Sequence, residues 1–79
     1  MAARFGDMLL EQRRRMGLSI QQVANTIKIR PQIIEFFENG NFASMPPRGY
    51  AQGMISSYAR FLGLNPREVV NAYFDDRMS

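Results

Sequence analysis

The sequence predicts an all-α fold, a compact bundle of five helices. Two observations carry that prediction. Apolar residues recur at helical spacing in separate stretches along the chain. Between the stretches stand helix start and stop residues in the expected order, with Ser, Asn or Pro opening and Gly closing. With 46% hydrophobic residues among 79, apolar content suffices for a bundle. A chain of this length buries about 60–65% of its unfolded surface, so packing has to be economical.

The first helix is read from Phe5, Met8, Leu9, Gln12 and Met16, with Gly17 placed for a left-handed stop. Ser19 followed three residues later by Gln22 has the form of a capping box. It opens a short second helix whose buried stripe is Val23, Ala24 and Ile27. Lys28-Ile29-Arg30 leaves only a tight turn before Pro31, a residue suited to the first turn of a third helix. Two helices joined this closely form a helix-turn-helix. Ile34 and Phe37 face the core, and Asn39-Gly40 ends the segment. Residues 41–46 form a linker anchored by Phe42 and Met45. The fourth helix runs from about Pro47 to Leu62 and carries two apolar stripes about 100° apart. Ala51, Ile55, Tyr58 and Leu62 form the first; Tyr50, Met54, Ser57 and Phe61 form the second, surplus to docking on a small core. Asn65-Pro66-Arg67-Glu68 opens the fifth helix, which packs through Val69, Val70, Tyr73 and Phe74. One domain is expected over 1–79, with a core at about 4–74 and a frayed end at 75–79.

Composition narrows the function. No cysteine and no histidine are present, so neither a thiolate site nor an imidazole base or ligand is available, and no metal or cofactor is expected. No glycine-rich phosphate loop, activated nucleophile or paired carboxylates appear, and no catalytic residue is assigned. An enzyme is not expected. A span of about 20 apolar residues is missing, and no signal-peptide core follows Met1. A cytoplasmic setting is the expectation. The net charge of +3 permits nucleic acid or an acidic protein without demanding either. The one dense basic cluster, Arg13-Arg14-Arg15, reads as a solvated helix end complementing the helix dipole.

The third helix offers poor base readers. Its outward positions are read as Ile33, Glu35 and Phe36, whereas bases are distinguished by polar and basic tips. Ile33 and Phe36 either pack against residues 41–46 or form an apolar outer surface, and are poor base readers in both cases. Arg30 and Gln32 beside its start, and Gln21 and Gln22 at the start of the second helix, are the DNA-contact candidates. They support the alternative reading of a DNA-binding transcriptional regulator.

The chain resembles the cytoplasmic helix-turn-helix domain of the bacterial cell-shape protein RodZ. The resemblance rests on Arg14-Arg15-Met16-Gly17-Leu18-Ser19, Val23-Ala24, Lys28-Ile29-Arg30-Pro31, Glu38-Asn39-Gly40-Asn41-Phe42, Arg48-Gly49-Tyr50 and Ser57-Tyr58-Ala59-Arg60-Phe61-Leu62-Gly63-Leu64. It covers nearly everything from Phe5 to Tyr73, and Lys28-Ile29-Arg30-Pro31 joined with Tyr58-Ala59-Arg60-Phe61-Leu62-Gly63-Leu64 is its specific part. The resemblance implies a repressor-like five-helix fold and a non-catalytic role in cell-shape control. The implied partner is the actin-like cytoskeletal protein MreB, bound through the fourth helix by two aromatics one turn apart. Their counterparts are Tyr50 and Met54, methionine standing where the family carries Phe or Tyr. Ser57 shares that stripe, and Arg48 and Arg60 are expected as a charged rim. Ile20 stands where repressor-like domains usually place a phosphate-binding glutamine. The family continues into a membrane span that these residues do not include, so a membrane enters only through a segment further along.

Overall fold

The computed structural model describes residues 4–78. Its helices are α1 (Phe5–Arg15), α2 (Ile20–Ile27), α3 (Pro31–Asn39), α4 (Arg48–Phe61) and α5 (Pro66–Met78), with one 3₁₀ turn at Phe42–Ser44. The expected all-α, five-helix bundle with its helix-turn-helix is what forms.

The ends of the helices follow from local chemistry. Ser19 Oγ accepts from the Gln22 N–H at 3.1 Å, and the Ser19 N–H donates to Gln22 Oε1 at 2.8 Å, completing the capping box of α2. Asn65 Oδ1 accepts from the Arg67 and Glu68 N–H groups at the start of α5. α1, α3 and α4 all stop in the same way. An N–H two or three residues past the helix end reaches back five positions, Leu18 to Arg13, Asn41 to Phe36 and Leu64 to Ala59. The residue before it is a left-handed glycine in each case. α2 stops at Lys28, with φ 61°. A lysine in that region costs about 1 kcal/mol relative to glycine, which the tight α2–α3 turn imposes.

The core gathers one stripe from every helix. Phe5, Leu9, Val23, Ile34, Phe37, Ala51, Ile55, Tyr58, Leu62, Val69 and Tyr73 are buried. Phe5 meets Tyr73 edge to face, with ring centroids 5.3 Å apart at 81°, and Phe42 from the linker closes the cluster at 5.8 and 6.0 Å. α1 and α3 approach so closely at Gly6 that a Cβ there would lie 2.5 Å from the Glu38 carbonyl oxygen. Only glycine fits that crossing.

Met16, read with the first helix, is its C-cap residue just past Arg15 and is 45% exposed. Two expectations are corrected. The arginine run is divided. Arg14 and Arg15 are exposed, but Arg13 makes a two-pronged contact with buried Glu38, Nε to Oε2 at 2.8 Å and Nη2 to Oε1 at 2.9 Å. The end at 75–78 is not frayed. α5 continues to Met78, Asp76 Oδ2 accepts from the Phe5 N–H at 2.8 Å, and the Arg77 guanidinium stands 5.8 Å from the Phe42 ring centre. A carboxylate from the last turn of α5 thus caps α1, whose own N-cap residue, Arg4, supplies no side-chain bond. Ser79, also in that expected end, lies outside the described residues.

Candidate functional site

α4 has three differently employed faces. Its core face, Ala51, Ile55, Tyr58 and Leu62, is sealed. About 100° around the helix, Tyr50, Met54, Ser57 and Phe61 form the second stripe. Met54 and Phe61 are half-buried and pack against the core cluster. Ser57 and Tyr50 are open to solvent. Of three tyrosines and six phenylalanines, Tyr50 alone is exposed, at 71%. Its backbone is held in the first turn, its N–H donating to the Pro47 carbonyl at 2.9 Å. The ring is therefore a free apolar plate with a hydroxyl tip on a fixed backbone, and Met54 one turn further along lines the same ridge.

The two predicted rim arginines do not share that ridge. Arg48 is exposed in the first turn of α4, roughly 160° around the helix from Tyr50. Arg60 is exposed and lines an open groove between α4 and α5. It lies roughly 80° around from Tyr50 and about 15 Å further along. Tyr50, Met54 and Ser57 are brought together; Arg48 and Arg60 stand apart from them.

The outward side of α3 is less apolar than its sequence implies. Ile33 is half-buried against the core cluster, and Phe36 is half-buried. Gln32 and Glu35 are the exposed residues there, so a carboxylate remains on the side that a duplex would approach. Arg30, the extended residue before α3, is exposed. On α2, Gln21 is exposed and donates to Asn25 Oδ1 at 3.0 Å. Gln22 has its side-chain oxygen committed to the capping box. Arg30 and Gln32 remain available for a polar ligand; Gln22 is largely spoken for.

A buried polar network holds these surfaces in register. Besides Arg13, Glu38 accepts from the Tyr58 hydroxyl of α4, and Arg13 Nη1 donates to the Leu18 carbonyl at 2.9 Å. Burial pushes the Tyr58 phenol well above its ordinary range, with the Glu38 hydrogen bond and charge adding to the rise. The Arg13 guanidinium is raised above its usual value by the hydrogen bond to Glu38, against the opposing effect of burial. One carboxylate of α3 thereby joins α1 and α4.

This geometry agrees with the comparisons to known proteins. Residues 8–69 match the family described as "Helix-turn-helix domain". The chain belongs to that helix-turn-helix family. An uncharacterised protein of Haemophilus influenzae is 37% identical over 60 residues, which is 75% of this chain and 20% of the relative. The chain thus spans a fifth of that relative's length. Among solved structures, YmfM of Staphylococcus aureus, described as a proposed DNA-binding membrane protein, superposes with a TM-score of 0.85. The match covers 94% of this chain and 90% of that one at 24% identity, a likeness of fold. Within the helix-turn-helix domain itself, no helix among the described residues is long and apolar enough to cross a membrane.

Proposed function

We propose that this helix-turn-helix domain is a non-catalytic adaptor that docks a protein partner through the Tyr50 ridge of α4. The resemblance to RodZ makes the actin-like filament protein MreB the partner and cell-shape control the process. In this reading the domain works at the cytosolic face of the membrane. The observation that carries the reading is the 71% exposure of Tyr50 on a helix already anchored by another face. Fully burying an aromatic side chain removes about 150–250 Å² from water, and tyrosine is enriched among the residues that dominate interfaces. Met54, half-buried beside it, is an adaptable apolar neighbour for a partner surface.

Tyr50→Ala should weaken co-sedimentation with MreB filaments roughly 30- to 1,000-fold, the effect of losing an interface anchor. The helical circular-dichroism signal should persist, since the Tyr50 ring contributes little to the core. A folded variant that still co-sediments at full affinity removes α4 from the mechanism.

Duplex DNA is the second reading, favoured by the description of YmfM and by the exposure of Arg30 and Gln32 at the start of α3. Exposed Glu35 on the same helix and the commitment of Gln22 to capping weigh against it.

A further inference from the structure

The third face of α4 plays no part in the reading above. With α5 it bounds an open groove of about 920 Å³. Gly49, Gln52, Gly53 and Ser56 line it from α4 and Val70 and Phe74 from α5, with Arg60 and Arg67 also in its lining. The glycines are unexplained from within. A Cβ at either position meets nothing within 4 Å, and neither has the positive φ that would call for glycine. Glycine inside a helix weakens it relative to alanine, so Gly53 is a weak point of α4 that the domain's own packing does not require, and Gly49 in the first turn leaves a second position without a side chain. What the missing side chains leave is room for an external backbone to come close.

The charge of the groove selects the visitor. Arg60 and Arg67 are its only ionisable lining residues, both exposed. Among the described residues neither has an ion-pair partner. From Gly49 to Arg60 the helix rises about 16 Å, the length of roughly three helical turns. We propose that the α4–α5 groove is a second docking surface, taking an acidic amphipathic helix of a partner protein. Its apolar stripe rests on Val70 and Phe74, its backbone lies over the two glycines, and its carboxylates meet the two arginines. This is a helix-in-groove contact. A nucleic acid would gain only two phosphate contacts here, too few for tight binding. Because the groove lies roughly 100° around α4 from Tyr50, the two surfaces are separable by mutation.

The test is a display library of random peptides of about 12–16 residues, long enough to form a helix of that length. It is selected on the intact domain, and a synthetic peptide with the winning consensus is then titrated. The expected consensus has an apolar helical stripe with Glu or Asp clustered towards one end. The peptide should bind wild type and Tyr50→Ala equally. It should bind Gly53→Leu about tenfold or more weakly, since leucine fills the groove from a helix surface with room for it. The double variant Arg60→Glu, Arg67→Glu should lose binding similarly, with circular dichroism showing both variants folded. Four outcomes overturn the proposal: no enriched sequence, a consensus without acidic residues, indifference to both groove variants, or displacement of the peptide by duplex DNA at comparable concentration. Equal binding by Tyr50→Ala keeps this result distinct from any failure of the MreB reading.

Discussion

Glu38 is the buried charged residue of this domain, 7% exposed, and three donors from two other helices converge on it. Removing one partner of such a contact costs more than the contact is worth, because the others stay buried without their acceptor. Glu38→Ala should therefore destabilise the domain by about 3–5 kcal/mol. A domain of this size has a total stability of about 4–12 kcal/mol, so urea denaturation should find the variant near the edge of folding. A loss under about 1 kcal/mol would mean that the network is incidental. Tyr58 adds a pH dependence. Its folded pKa lies above the unfolded value of 10.0. Below pH 10 both states hold the proton and stability is indifferent to this group. Above it, the unfolded chain releases a proton that the folded chain keeps, so stability falls as pH rises, by up to about 1.4 kcal/mol per unit. Urea midpoints between pH 9 and 11.5 should fall more steeply for wild type than for Tyr58→Phe. Parallel curves would show that the buried hydroxyl titrates normally.

Helices carry the next set of consequences, and their glycines separate two kinds of constraint. Gly6 of α1 touches the backbone of α3, so Gly6→Ala must push the two helices apart, costing about 1–3 kcal/mol or more. Gly53 of α4 faces open space, so Gly53→Ala should stabilise by about 0.5–1 kcal/mol through propensity and a less flexible unfolded chain. Thermal unfolding should show Tm shifts of opposite sign, each about 4–8 °C per kcal/mol. A fall in Tm for Gly53→Ala would mean that α4 packs differently. The same contrast explains what was legible in the sequence. Capping boxes and glycine stops involve residues three to five apart, so Ser19, Gln22, Gly17 and Gly63 declared themselves. The two stripes of α4 followed from helical phase, and Tyr50 was found that way. Arg13 could not be told from Arg14 or Arg15, because its partner is 25 positions away. Asp76 caps a residue 71 positions earlier, so it read as part of a loose end. Helical phase leaves Ile33 on the outer side of α3 or packed on the following linker, and only the packed bundle shows it half-covered against the core cluster. A glycine pair four apart inside a predicted helix was a visible signal for the α4–α5 groove. Its meaning needed the position of α5.

The molecule as a whole carries a net charge of +3, and its exposed cations are scattered. Arg14 and Arg15 end α1, Lys28 and Arg30 flank the turn before α3, Arg48 opens α4, and Arg60 and Arg67 sit at the far groove. A duplex laid along α3 would meet Lys28 and Arg30 together with the opposing charge of Glu35. Two to three neutralised phosphates give a slope of log affinity against log salt of about −2 to −3. Fluorescence anisotropy on a short labelled duplex should thus show weak binding that falls roughly 15- to 60-fold between 50 and 200 mM salt. The fall should be the same for unrelated sequences, since Gln32 alone offers little that can distinguish base edges. Arg30→Ala should flatten the slope by about one unit across all of them. A slope of about −5 or steeper, with a thousandfold or greater preference for one sequence, would transfer the function from the Tyr50 ridge to α3.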